Sequence, residues 1–261
     1  MSNYLISDLE PEYVTYLYQH IPILESSIDG ELLLQLILNY CKDCKLIRST
    51  LKYYNIRDNS LSKINLFLKK MIKTEKKLNG FNNNENNNKS KVTYTKNKAI
   101  KKNNIDALGL IEGIILCTLN YYKIKNKNNN KKFPNINVNI SNNQTKLNLK
   151  MSIAPGKDLG NTIIDLYKDS KVTDKNSELF NILIEISKKL DYLQKNCGFI
   201  HGDFHSGNIF VDKKINEKNG KEEYIITFID FEYSTIKLPS NKNIILTSPV
   251  SKNISRSDIL N

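Results

Sequence analysis

The stretch Gly198-Phe199-Ile200-His201-Gly202-Asp203-Phe204-His205-Ser206-Gly207-Asn208-Ile209-Phe210-Val211 decides how this sequence is read. Upstream, Leu179, Ile182, Leu183, Ile186, Leu190 and Leu193 recur at helical spacing, which predicts a helix from about Ser177 to Lys195. Downstream, Ile209–Val211 and Tyr224–Ile229 read as strands. The polar segment Asp212–Glu223 joins them, with its turn at Asn219-Gly220. The second strand runs through Ile225-Ile226-Thr227-Phe228-Ile229 directly into Asp230-Phe231-Glu232-Tyr233. A helix, an H-x-D-x-x-x-x-N loop and a hairpin therefore precede an apolar strand that ends in Asp-Phe.

That combination resembles the catalytic loop and metal-binding segment of the protein-kinase-like superfamily. His-Gly-Asp-Phe-His-Ser-Gly-Asn is similar to the aminoglycoside phosphotransferases and small atypical kinases, and Asp-Phe-Glu-Tyr to the choline/ethanolamine kinases. The resemblance implies an ATP-dependent kinase that uses Mg²⁺. Phosphoryl transfer to a hydroxyl needs a carboxylate beside the nucleophile, the role implied for Asp203. Hard oxygen ligands suit Mg²⁺, and Asn208 and Asp230 would supply them from the two sides of the hairpin. His201 is expected to brace the loop against the Asp-Phe turn through hydrogen bonds.

The pattern extends upstream. A strand over Lys146–Ile153 leads into Ala154-Pro155-Gly156, which cannot continue it, and a short helix over Asp158–Asp169 follows. This resembles the kinase hinge, with the backbone around Ile153 set to hold the adenine. Glu112 stands in the apolar helical run Asp106–Tyr122, where a buried carboxylate requires a basic partner. The resemblance offers a phosphate-binding lysine. Lys96, after the short strand Lys91–Thr95, is the best-spaced candidate and Lys98 the next; alternatively Glu112 reaches solvent at a helix edge.

The spelling departs from ordinary protein kinases in several places. No glycine-rich phosphate loop is visible, since Gly80 stands alone before an asparagine-rich stretch. His205 occupies the place of the lysine two residues beyond the catalytic aspartate, Glu232 that of the metal-motif glycine, and no Ala-Pro-Glu follows. Beyond Tyr233 the chain reads as polar and short.

Residues 10–75 read as helical, with an apolar run at Leu32–Leu38. Phe81–Ser90 and Lys123–Lys132 are asparagine- and lysine-rich and read as loops. Ile136, Val138 and Ile140 alternate with asparagines as in a half-buried strand. The expected fold is α+β: a bilobal protein-kinase-like fold with an abbreviated large lobe and an extra helical N-terminal region. The expected divisions are a helical region at 1–75, a small lobe at 76–153 and a catalytic large lobe at 154–261.

Composition limits the alternatives. The chain of 261 residues carries a formal charge of +12, almost all of it from lysine, with arginine only at Arg48, Arg57 and Arg256. The lysines are spread among asparagine and isoleucine along the whole length. Specific nucleic-acid binding is therefore not expected, because such readers concentrate arginine and aromatics on one surface. The pair Cys41-x-x-Cys44 lacks a second pair or a neighbouring histidine to complete a zinc set, so free thiols in a reducing compartment are expected. Met1–Asp8 has neither the basic nor the apolar part of a secretory signal, and the longest apolar runs fall short of the ~18 residues of a membrane span. A soluble, cytoplasmic protein is expected, with no membrane partner. Its expected function is transfer of the ATP γ-phosphate to a hydroxyl of a protein Ser/Thr or a small molecule. The alternative is a pseudokinase acting as a nucleotide-binding or regulatory module.

Overall fold

The computed structural model describes residues 4–21, 24–25, 28–40, 91–95, 98–104, 107–126, 139–143, 146–216, 220 and 222–247. It is a mixed helix-and-sheet structure with small antiparallel sheets, compatible with the expected α+β class.

Near the N-terminus, α1 (Pro11–His20) begins on a proline at its first position, where a missing N–H costs nothing. It is followed by α2 (Ile28–Tyr40). Next come β1 (Lys91–Thr95), β2 (Lys98–Asn104) and α3 (Ala107–Lys125). The strands β3 (Asn139–Asn143) and β4 (Lys146–Ser152) complete a four-stranded sheet in the order β1-β2-β4-β3. From Leu110 to Leu119 every residue of α3 is buried, and α2 is buried from Leu32 to Asn39. Helices apolar on all sides must lie inside, and α3 does: it touches α1, β4 and the later strand β8 (Thr235–Lys237).

The C-terminal half opens with β5 (Lys157–Asp158) and α4 (Leu159–Lys168). Asp158 caps α4 by accepting the Asn161 N–H at 3.0 Å. The long helix α5 (Lys175–Cys197) is capped by Asp174, which accepts the Ser177 N–H at 2.9 Å. Its end is a Schellman closure. Gly198 is left-handed at φ 56°, its N–H reaches the Gln194 carbonyl at 2.9 Å, and Phe199 N–H reaches Leu193. Strands β6 (Ile209–Ile215) and β7 (Glu222–Phe228) pair antiparallel, with Val211 opposite Ile226, and β5 joins the outer side of β6. A two-stranded hairpin, β8 with β9 (Ile245–Thr247), follows the Asp-Phe motif.

Several expectations change. Both strands of the β6–β7 hairpin run further into the polar segment than its composition suggests. The exposed outer pairs are held by charge, with Lys213 2.9 Å from Glu178 and 2.8 Å from Glu222. The segment beyond Tyr233 is not merely polar, because Ile236, Leu238, Ile244 and Leu246 are buried. Their period-two spacing, in and just beside β8 and β9, is short enough to be hidden among Lys, Ser and Asn. Strand β2 was not expected at all, since Lys98–Asn104 is mostly lysine and asparagine; pairing on both sides makes it a strand. On α5 the buried line is Ile182, Ile186 and Leu193, whereas Leu183 is 43% exposed. Lys96, Cys41, Cys44 and most of the lysine- and asparagine-rich stretches lie outside the described residues.

The N-terminal segment closes over the far end of the chain. Glu10 N–H donates to the Pro239 carbonyl at 2.9 Å, and Asn241 N–H to the Asp8 carbonyl at 3.0 Å. The Asp8 carboxylate, almost buried, meets Lys242 at 2.8 Å. On its other side α1 is bonded to α3. Tyr13 and Thr118 share a hydroxyl–hydroxyl bond of 2.5 Å, and Asn120 donates to the Tyr16 hydroxyl at 2.7 Å. The two described cysteines, Cys117 and Cys197, are free and buried, and burial pushes each thiol up to about 12.

Candidate active site

The catalytic-loop residues form a sharp turn between the end of α5 and the start of β6. Gly202 permits it: the residue is left-handed at φ 78°, and a Cβ there would overlap the Tyr233 carbonyl. His205 precedes a single 3₁₀ turn, Ser206–Asn208, and its Nδ1 accepts the Gly207 N–H at 3.1 Å. Asn208 N–H returns to the His205 carbonyl at 2.9 Å.

Asn208 is buried, and its amide nitrogen donates twice to Asp203: to the carbonyl at 3.0 Å and to Oδ2 at 3.2 Å. This network fixes which end of the amide is oxygen. With its amide nitrogen engaged by Asp203, the side chain keeps Oδ1 as an acceptor. Asp203 itself is partly open, with its side chain 39% exposed.

The Asp-Phe segment is bound to this loop through Ile229. Its N–H donates to the Asn208 carbonyl at 3.1 Å, and its carbonyl accepts from His201 Nε2 at 2.9 Å. Both polar backbone groups before Asp230 are thus taken by the loop. Asp230 follows at φ 63°, a left-handed conformation that costs a non-glycine residue about 1–2 kcal/mol and is best tolerated by Asp and Asn. Phe231 then turns into the core, edge-on to Phe199 at 5.7 Å and 5.5 Å from the His201 ring. Ser234 closes the lacing by donating its hydroxyl to the His201 carbonyl at 2.8 Å, and Ile200 and Thr235 exchange backbone bonds.

His201 is buried among Phe199, Phe204, Phe228 and Phe231. Burial holds its pKa below the usual histidine value, against the opposing pull of the Ile229 carbonyl and of Asp203 and Asp230. The neutral ring carries its proton on Nε2, and Nδ1 has no hydrogen-bond partner among the described residues.

The sequence-derived residues divide into three groups. His201, Asp203, Asn208 and Asp230 come together in one laced unit. Ile153 lies just past the end of β4, 40% exposed, and the turn beyond it is pressed onto the catalytic hairpin: Gly156 is left-handed at φ 80° with no room for a Cβ beside Val211. Glu112 is 1% exposed inside α3, which rules out the solvent-edge alternative. Lys101 stands on β2, the strand that precedes α3, and its register partner on β4 is the buried Leu149.

The donor set suits a hard cation bound together with phosphate oxygens: one amide oxygen and one carboxylate, with no cluster of three or more His, Cys, Asp or Glu among the described residues. No helix among those residues is long and apolar enough to cross a membrane.

The end of a helix, a laced polar loop and a hairpin thus hold the candidate residues in one unit. Residues 156–241 match the model of the Phosphotransferase enzyme family, APH, which belongs to the protein-kinase-like superfamily of aminoglycoside phosphotransferase and choline kinase type. The match spans about a third of the chain and contains His201, Asp203, Asn208 and Asp230. It supports a phosphotransferase activity in general. No curated protein matches the chain.

Proposed function

We propose that the protein is an ATP-dependent kinase that uses Mg²⁺ and transfers the γ-phosphate to a hydroxyl of a small molecule or of a protein Ser/Thr. The observation that carries this reading is the double capture of Ile229 by Asn208 and His201, which fixes Asp230 relative to Asp203 and Asn208. Catalysis of phosphoryl transfer consists mostly of such positioning.

In this reading Asp203 accepts the proton of the acceptor hydroxyl. Asn208 Oδ1 and the Asp230 carboxylate hold Mg²⁺, which when bound neutralises charge on the phosphates. The buried Glu112 orients a lysine toward the phosphates, with Lys101 a candidate beside Lys96. Lys101 lies in the strand directly before α3 and is in register with the buried Leu149 of β4. The backbone around Ile153 receives the adenine. His201 acts through Ile229 rather than on the phosphates.

The test is Mg-ATP binding by thermal shift, followed by phosphoryl transfer from radiolabelled ATP to protein and metabolite panels. Wild type should be stabilised by Mg-ATP and Asp230→Ala should not. Asp203→Ala should retain binding and lose about 10²–10⁴-fold in turnover. Wild-type binding without turnover would favour the pseudokinase alternative; neither binding nor turnover would end the kinase reading.

A further inference from the structure

Lys189 takes no part in the roles assigned above, and it is set differently from its neighbours on α5. Lys188 and Lys195 are exposed and paired on their own helix, with Glu185 at 2.7 Å and Asp191 at 2.8 Å. Lys189 turns inward instead. Its ammonium donates to the Ile226 carbonyl of β7, the edge strand of its sheet, and stands 5.9 Å from the centre of the Phe228 ring. Among the described residues no carboxylate pairs with it, and the charge that acts on it is another cation, Lys123 of α3. An ammonium withdrawn from water without a counter-charge is unfavourable. Burial first, and Lys123 second, hold its pKa down to about 8.

Lys189 lines a groove of about 400 Å³ between α5 and β7, a size that suits a small molecule. The walls are largely fixed. Tyr224 is tied through its hydroxyl to Glu178, Ile226 is buried, and Tyr192 and Ile225 are half-buried. Glu223, on the β7 side, accepts from the Asn216 amide. Aromatic and aliphatic walls thus surround one inward-facing positive charge that lacks a counter-charge. We propose that this groove binds a small organic anion, a carboxylate or phosphate carried on an apolar body, with Lys189 as its anchor. The anion supplies the missing negative charge. An ammonium has three donors, so it can keep its bond to Ile226 while it donates to the ligand. Neither Asp203 nor Asp230 takes part, although Phe228 touches both Lys189 and, at 6.1 Å, the His201 ring.

The alternative is that Lys189 only covers the open edge of β7. Calorimetric titration separates the two roles, with phenyl phosphate and benzoate as probes and with inorganic phosphate and benzyl alcohol as the charge and the apolar body alone. Wild type should bind phenyl phosphate or benzoate at one site, more tightly than either part, and the tighter of the two names the headgroup. Lys189→Met keeps the stem and removes the charge, so binding should weaken about 10-fold or more. Ile225→Glu, which puts a carboxylate on the groove wall, should weaken it as well and serves where Lys189→Met does not fold. Lys188→Met, at an exposed and paired lysine, should bind as wild type does, and so should Asp230→Ala. No binding of either probe by wild type, or unchanged affinity in both Lys189→Met and Ile225→Glu, would overturn the proposal. Binding lost in Asp230→Ala and kept in Lys189→Met would place the probe at the candidate active site and overturn it equally.

Discussion

The catalytic loop with its Asp-Phe partner (198–235) and the N-terminal helices with α3 are held together by opposite means. In the first, most interactions that matter are hydrogen bonds between a few polar and backbone groups, supported by left-handed residues at Gly202 and Asp230. In the second, the contacts are apolar and distant in sequence: Leu9, Tyr13, Leu17 and Leu24 share one core with Leu32–Leu38 and with Leu110–Leu119. The polar bonds there, such as Tyr13 to Thr118, join residues 105 apart. Directional bonds over short loops set positions to fractions of an ångström, whereas apolar burial supplies stability without direction. One region is built for position and the other for support.

That contrast can be broken most sharply at Gly202. Gly202→Ala puts a Cβ into the Tyr233 carbonyl at a left-handed φ, so the loop must move away from Asp230. Turnover should fall at least ~10²-fold, as expected for a displacement of about 1 Å, and unfolding in urea should cost about 1–3 kcal/mol. A fully active Gly202→Ala would show that the lacing does not set the active geometry.

Leu17→Ala probes the other region. The side chain is completely buried in the α1 core, and its loss should cost about 2–5 kcal/mol in the same urea measurement. Turnover per folded molecule should be retained, and a loss of kcat in the fully folded variant would mean that α1 sets the position of Glu112 as well as supporting it.

The smallest effects are in the pH dependence, where the two regions differ in window. The His201 pKa is depressed by burial in the folded state, so the unfolded chain binds more protons once pH drops below about 6.5. Stability is therefore full above that pH and lost as pH falls toward the folded value; His201→Asn should flatten this slope. Asp8 is also depressed, chiefly by its hydrogen bond to Lys242 and then by the Leu5 N–H, overcoming its burial. Its contribution is present above the unfolded carboxylate value of about 4 and is lost only at lower pH. Asp8→Asn should alter the acid limb below about pH 4 and leave the limb near 6 unchanged. Melting temperature against pH for the two variants checks both.

How much could be read from the chain follows the same division. That His201, Asp203, Asn208 and Asp230 would meet in one loop-and-hairpin unit was legible, because their spacing is local. The bounds of β1, β4, α4 and α5 were also close to expectation, since caps such as Asp158, Asp174 and Gly198 are local signals. Strand β2 was not legible, because a run of lysines and asparagines carries no strand pattern until its neighbours β1 and β4 are in place. The burial of Glu112 was uncertain for a related reason: a helix apolar on every side does not reveal which face meets solvent.

The His201–Asn208 and Asp230–Glu232 segments, with which the reading began, are what the sequence by itself determined: the residue types, their order, and the helix–loop–hairpin that carries them. Only the tertiary structure decided that Asn208 spends its donors on Asp203 and that Ile229 is captured from both sides. It also decided that the N-terminal segment ties α3 to residues 239–242. The physical reason is distance along the chain. A turn, a cap or a period is encoded by neighbours, but a bond between residues 8 and 242 depends on everything folded between them.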